Sequence, residues 1–159
     1  MLKKYGFYLL FTLVIFAGQF LRSHDLATGP LPAIEKTTLQ NAPALSVIDH
    51  KPGIIYFWAE WCGVCRLMQS AVSAVAADQP LLSIALRSGD DTELQEYLTQ
   101  HQLSWPVVND RYGDIAKHYG VKAVPAVFFT DSSGKIVFNS SGYTSEWGLR
   151  IRLWLASLV

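Results

Sequence analysis

The stretch WAEWCGVCRLM, residues 58–68, holds both cysteines of the chain, Cys62 and Cys65, with two residues between them. Ahead of it runs GIIYFW (53–58), continuous and rich in β-branched and aromatic residues, as a strand buried on both faces requires. Behind it Leu67, Met68, Ala71, Val72 and Val75 recur at helical spacing up to DQP (78–80), which predicts a helix ending there. The two sulfurs therefore stand at a strand-to-helix junction, with Cys62 in the first helical turn. Backbone N–H groups without intrahelical partners carry partial positive charge at that point. Such a field favours a thiolate, and each unit of lowered pKa corresponds to about 1.4 kcal/mol.

Three uses of the pair compete. A passive disulfide across two intervening residues closes a very small loop and removes little entropy from the unfolded chain. A metal site would have two thiolates, enough for Cu(I), but a structural zinc site normally takes four ligands. The four histidines, His24, His50, His101 and His118, are scattered through the sequence. Dithiol exchange needs an attacking thiolate at the helix mouth and a protected resolving thiol one turn behind, which is the arrangement of Cys62 and Cys65. It needs no bound cofactor and no metal. A metal-binding, copper-capturing module using the same two thiols is the alternative.

Outward from the pair, LLSIAL (81–86) reads as a second strand, and Asp90 with Glu93 as a capping box opening a helix along Leu94, Tyr97, Leu98 and His101. SWPVVND (104–110) leads to a short helix near Asp114 to Tyr119, stopped by Gly120. AVFFT and KIVF flank DSSG as a hairpin. A last helix starts near Thr144 or Ser145, with Trp147, Ile151, Trp154, Leu155 and Leu158 on one face. A helical crossover between early strands implies parallel pairing and the hairpin antiparallel pairing, hence a mixed α/β sheet flanked by helices. Sheets of this kind present reactive groups at the carboxyl ends of strands, where Cys62 lies.

The N-terminus is different. Residues 1–22 begin with a lysine pair and run uncharged from Tyr5 to Leu21. Seventeen helical residues span about 26 Å, slightly less than a hydrocarbon core of about 30 Å. Lys3, Lys4 and Arg22 can bridge the shortfall by extending to the interface. The flanks fit an uncleaved anchor better than a signal peptide, because Ile15-Phe16-Ala17 puts a bulky residue where cleavage wants a small one. The lysine bias keeps the N-terminus in the cytoplasm and places the rest across the membrane, in an oxidising compartment. Residues 23–36, punctuated by GPLP, read as a linker, and 37–159 as the domain, with a short edge strand or hairpin around 37–48. Thirteen basic residues balance thirteen acidic ones, so nucleic-acid binding has no electrostatic support.

FWAEWCGVC (57–65) resembles the thioredoxin active-site segment, and GVKAVPAVFFTDSSGKIV (120–137) resembles the stretch around the cis-proline of that fold. The resemblance implies Cys62 as nucleophile, Cys65 as resolving thiol, Pro125 as the cis-proline, and Val124 and Trp61 beside it as substrate-binding surface. It implies that the dipeptide Gly63-Val64 tunes the reduction potential. Tyr56 falls where thioredoxin has a buried aspartate, and Met68 where cytochrome-maturation relatives often have a glutamate. With both carboxylates missing, Glu60 is the nearest acid by sequence. The anchor and the helix at 90–101 are similar to the membrane-tethered TlpA-like and DsbE-like proteins, nearest to the suppressor-of-copper-sensitivity group. That likeness implies a single-pass inner-membrane protein with its domain in the periplasm, protein thiol or disulfide substrates, a membrane reductase as partner, and a link to copper tolerance.

Overall fold

A computed structural model describes residues 26–48 and 51–159. The expected anchor, residues 1–22, lies outside the described residues, and among these no helix is long and apolar enough to cross a membrane.

Six strands form one mixed sheet: β1 (Gly29–Pro30), β2 (Gly53–Trp58), β3 (Leu81–Leu86), β4 (Val107–Asp110), β5 (Ala126–Thr130) and β6 (Lys135–Ser141), in the order β1-β6-β5-β2-β3-β4. β2, β3 and β4 run parallel, while β5 is antiparallel to β2 and to β6. The helices are α1 (Gly63–Ala76), α2 (Asp91–Gln100), α3 (Asp114–His118) and α4 (Glu146–Ala156). The mixed sheet and the crossover through α1 are as the sequence predicts.

β2 runs through the middle of the molecule, and its alternating side chains divide the core. Ile54, Tyr56 and Trp58 pack with α1, α2 and α4 on one face. Ile55 and Phe57 pack with α3 and the segment from Leu26 to Ile48 on the other. Burying an isoleucine or phenylalanine side chain contributes about 1.5–3 kcal/mol, so a six-residue strand with every side chain buried anchors both layers. Gly53 must be glycine: a Cβ there would stand 2.7 Å from Ile48 Cγ2.

Four features differ from the sequence reading. β4 was not expected as a strand; it is only four residues long and follows Pro106, too short for periodicity to register. The edge strand sits at 29–30 rather than within 37–48, where there is one isolated bridge, Thr37 to Pro43, and a 3-10 turn over Ala44–Val47. The stretch read as a linker is part of the packed body from Leu26 onward. Leu26 and Ile34 are buried, and Ala27 N–H donates to Tyr119 O at 3.0 Å. Finally, the stripe of Trp147, Ile151, Trp154, Leu155 and Leu158 faces away from the sheet, and Leu149, Leu153 and Ala156 are the buried residues of α4.

Candidate active site

The carboxyl end of β2 delivers the chain into a tight turn in which Cys62 N–H donates to Ala59 O at 3.2 Å. The turn is held from the side by the segment after β3. Glu60 N–H donates to Ser88 Oγ at 3.1 Å, and Ser88 in turn donates to Leu86 O at 3.1 Å. The Trp61 indole N–H donates to Arg87 O at 3.1 Å. Arg87 carries a left-handed φ of +48°, which turns its carbonyl toward the indole while its own N–H is held by Asp110 O at 3.1 Å. Asp110, fully buried, accepts the Ile115 and Ala116 N–H groups, tying the same loop to the start of α3.

Cys62 is the N-cap of α1, and its sulfur accepts the Cys65 N–H at 3.1 Å. A sulfur in this position fills the role that a serine or aspartate oxygen fills at other helix starts, satisfying an orphan donor. The pair is a disulfide, with the Cα atoms 5.2 Å apart. Cys62 is 7% exposed and Cys65 1%, so both are buried and Cys62 is the nearer of the two to the surface. Gly63 and Val64 open the helix between them; a Cβ at Gly63 would meet nothing within 4 Å, so no packing constraint selects glycine there.

Opposite Cys62 stands the Val124–Pro125 peptide, which is cis. Val124 O lies 3.6 Å from Cys62 Sγ. In the disulfide that sulfur has no proton to donate, so the contact becomes a hydrogen bond only once Cys62 is a thiol. Pro125 O accepts Gly142 N–H at 2.8 Å, fixing the loop to the end of β6. Trp61 is exposed beside the pair, and Trp58 is buried in the core.

Behind Cys65 the wall is aromatic. Trp105 meets Tyr56 edge-on at 6.3 Å and Trp58 edge-on at 6.2 Å, and Tyr97 lies 5.6 Å from Trp58. Tyr56 Oη, Trp58 Nε1 and Trp105 Nε1 are buried without a hydrogen-bond partner among the described residues. Burial, with the neighbouring Tyr97 phenol as a lesser cause, holds the Tyr56 phenol protonated well beyond its ordinary range. Tyr56 is therefore a neutral group and no substitute for a carboxylate base. Met68 is buried, and its sulfur accepts Thr144 N–H at 3.4 Å, binding α1 to the entry of α4. Glu60 is partly exposed and supplies its backbone N–H to the turn.

All seven residues singled out in the sequence are thus placed. Cys62, Cys65, Gly63, Val64, Val124 and Pro125 come together at one end of the sheet, and Trp61 flanks them. Sequence reasoning missed Ser88, Arg87 and Trp105. Only the turn residues of SGD (88–90) hinted that this loop is shaped for a purpose. Among the described residues no group of three or more His, Cys, Asp or Glu converges as metal ligands would. His101 stacks on Tyr97 and His118 is exposed, while His24 and His50 lie outside the described residues.

The chain is similar to several known proteins. Residues 29–139 match the AhpC/TSA family. The thioredoxin-like protein of Haemophilus influenzae is 36% identical over 129 residues, 77% of this chain and 77% of that protein. The thiol:disulfide interchange protein DsbE homolog of Paracoccus denitrificans is 28% identical over 115 residues, 70% of this chain and 64% of that one. The solved structure of a secreted Mycobacterium tuberculosis disulfide oxidoreductase homologous to DsbE of E. coli is 30% identical with a TM-score of 0.62, covering 75% of this chain and 92% of that chain. The matched residues take in β2, both cysteines, the cis-proline loop and most of the hairpin, and the chain belongs to the AhpC/TSA family, with a thioredoxin-like fold.

Proposed function

We propose that this thiol–disulfide oxidoreductase, of the DsbE and ResA type, reduces disulfides in other proteins through Cys62 and Cys65. The observation that carries the reading is the Cys65 N–H aimed at Cys62 Sγ from 3.1 Å at the mouth of α1. Negative charge developing on that sulfur meets a donor already in place, and the helix dipole adds to it.

In the reduced enzyme the Cys62 thiolate attacks one sulfur of a substrate disulfide, and the other substrate sulfur leaves as a thiolate. Cys65 then loses its proton and attacks Cys62 in the mixed disulfide. The second substrate thiol departs, and the Cys62–Cys65 disulfide forms. Two electrons pass from the enzyme to the substrate, and a dithiol donor must restore them by the reverse exchange. Val124, whose carbonyl faces Cys62, and exposed Trp61 form the surface against which a substrate peptide lies. Gly63-Val64 sets the potential; about 30 mV corresponds to ~1.4 kcal/mol for this couple, so a small change in the dipeptide shifts the preferred direction.

The apolar run from Tyr5 to Leu21 serves as an inner-membrane anchor, with the domain in the periplasm and a membrane reductase as electron donor. The names of the Paracoccus and Mycobacterium relatives, an interchange protein and a secreted oxidoreductase, support a compartment of this kind. The link to copper tolerance rests on the resemblance to the suppressor-of-copper-sensitivity group, including its protein D.

Two measurements test the reading. A Cys65→Ser variant should accumulate mixed disulfides through Cys62 that dithiothreitol releases; loss of metal affinity without such adducts would instead indicate a metal-capturing module. Equilibration of the Cys62–Cys65 pair with glutathione buffers should give a potential near that of thioredoxin, about −270 mV. A value near −120 mV, that of a strong oxidant, would reverse the direction of electron flow.

A further inference from the structure

α4 is apolar on two opposite sides. Leu149, Leu153 and Ala156 are buried against the sheet and α1. Half a turn away, Trp147 is 74% exposed, Ile151 53%, Trp154 61% and Leu158 64%. At about 100° per residue Trp147, Ile151 and Trp154 fall within a stripe roughly 60° wide, opposite the buried three, and Leu158 follows in the turn just past the end of the helix. The intervals between them are 4, 3 and 4 residues, the spacing of a coiled-coil seam. The stripe plays no part in the exchange chemistry, and isolated exposed apolar residues would not repeat at this interval.

We propose that the stripe is a homodimer interface, in which α4 packs antiparallel against α4 of a second copy. The spacing reads the same in both directions, as a two-fold interface requires. With the axis between Ile151 and Trp154, Trp147 meets the partner's Leu158 and Ile151 meets the partner's Trp154. Aromatic side chains carry roughly 150–250 Å² each, so the four residues with Leu155 offer on the order of 600 Å² per copy. A standard stable interface takes about 800 Å² a side, and most of that is already present in the apolar stripe. Pro52 and Pro80, which line a cavity of about 380 Å³ with Trp154, extend the apolar surface beside it.

The charges permit the pairing. Arg150, on the flank of the stripe, is held by Asp78 and Glu146 at 2.9 Å each, so the two copies do not bring unpaired guanidinium groups together. Other occupants fit less well. Only four residues, 22–25, separate the apolar N-terminal run from Leu26, and they reach at most ~14 Å. Leu26 packs on the opposite face of the sheet from α4, and crossing between faces traverses two layer spacings of about 10 Å each. The same short connection would set a bilayer beside the Leu26 face, leaving α4 turned away from it. Thr144, just before the start of α4, is held by Met68 in the first half of α1, and Arg150 by Asp78 past the far end of α1, so antiparallel pairing of α4 points the two Cys62 ends in opposite directions.

Sedimentation of the full chain in density-matched detergent should show a concentration-dependent monomer–dimer equilibrium. The double substitution Ile151→Glu, Trp154→Glu should weaken dimerisation at least a hundredfold, with an unchanged far-UV circular dichroism spectrum and an unchanged rate of thiol exchange. In a Cys62→Ser, Cys65→Ser background, protein with Trp147→Cys should crosslink on oxidation to protein with Leu158→Cys, and neither should crosslink to itself. A chain that stays monomeric, or a dimer that survives the double substitution, overturns the proposal. So does a monomer whose α4 tryptophans shift their emission on phosphatidylethanolamine–phosphatidylglycerol vesicles, which would make a membrane the occupant.

Discussion

Ser88 is fully buried and joins two strands' ends through one hydroxyl: it accepts from Glu60 N–H and donates to Leu86 O. Ser88→Ala leaves the part-buried Glu60 N–H and Leu86 carbonyl without this partner, at about 1 kcal/mol. It should lower stability to denaturant by that amount and also slow thiol exchange, because the turn that presents Cys62 loses its lateral support. Equal exchange rates at equal folded fraction would show that the clasp is structural only. Tyr56 predicts the opposite sign. Its hydroxyl is buried with no protein partner among the described residues, so Tyr56→Phe should raise stability by about 1 kcal/mol. A loss of similar size would mean that the hydroxyl is satisfied in solution. The phenol also sets a pH dependence. In the folded protein burial holds its proton well above the usual range, while in the unfolded chain it ionises near pH 10. Above about pH 10 the unfolded state therefore carries fewer protons, and stability falls as pH rises. Tyr119, also pushed up by burial, adds to this. Alkaline unfolding curves should flatten in Tyr56→Phe and flatten further when Tyr119→Phe is added.

At the scale of elements, α2 starts with a reciprocal cap. Asp90 Oδ1 accepts from Thr92 and Glu93 N–H at 3.0 Å, and Glu93 Oε2 accepts from Asp90 N–H at 2.8 Å. Asp90→Ala should cost about 1 kcal/mol, measured by urea denaturation, with no change in the reactivity of Cys62. The β5–β6 turn is built the same way around one carboxylate. Asp131 accepts from Lys135 N–H, Ser133 N–H and Ser133 Oγ, at 2.9, 2.8 and 2.7 Å. The Lys135 backbone bond is the main cause that holds this acid below the ordinary carboxylate range. Its contribution is present at neutral pH and is lost as pH falls below about 4, through the folded-state pKa. Asp131→Asn should therefore reduce the acid dependence of stability rather than shift the alkaline limb.

What the sequence disclosed about these elements follows from how locally each is encoded. The capping box, the cysteine-bearing helix start and the DSSG hairpin are each written within a few consecutive residues, and the structure has all three. The cis peptide before Pro125 was legible only through resemblance to a known motif. α4 was harder, because both of its faces are apolar. The bulkier residues, Trp147 and Trp154, dominate the pattern, yet Leu149, Leu153 and Ala156 fit against α1 and the sheet. The clasp of Ser88 and Arg87 onto Glu60 and Trp61 spans 26 to 28 residues of sequence and has no local signature at all.

At the scale of the whole molecule, the two-sided core places its reactive sulfurs at one end and its N-terminal entry on the side face away from α4. The entry is not a free tether. From Leu26 to Ile34 the chain lies across the Tyr119 side of the sheet, joined by Ala27 to Tyr119, by Tyr119 Oη donating to Pro32 O at 3.0 Å, and by the two-residue pairing of β1 with β6. A version shortened to begin at residue 37 would uncover Tyr119 and Ile136 and leave β6 as a bare sheet edge, inviting aggregation. Any tension applied ahead of Leu26 would first strip this strap from the rim of the sheet, before strain reached the cysteine helix. The strap is thus the first packed element that a pull on the N-terminal side would load, and its contacts lie with Tyr119 and β6 rather than with the cysteine helix.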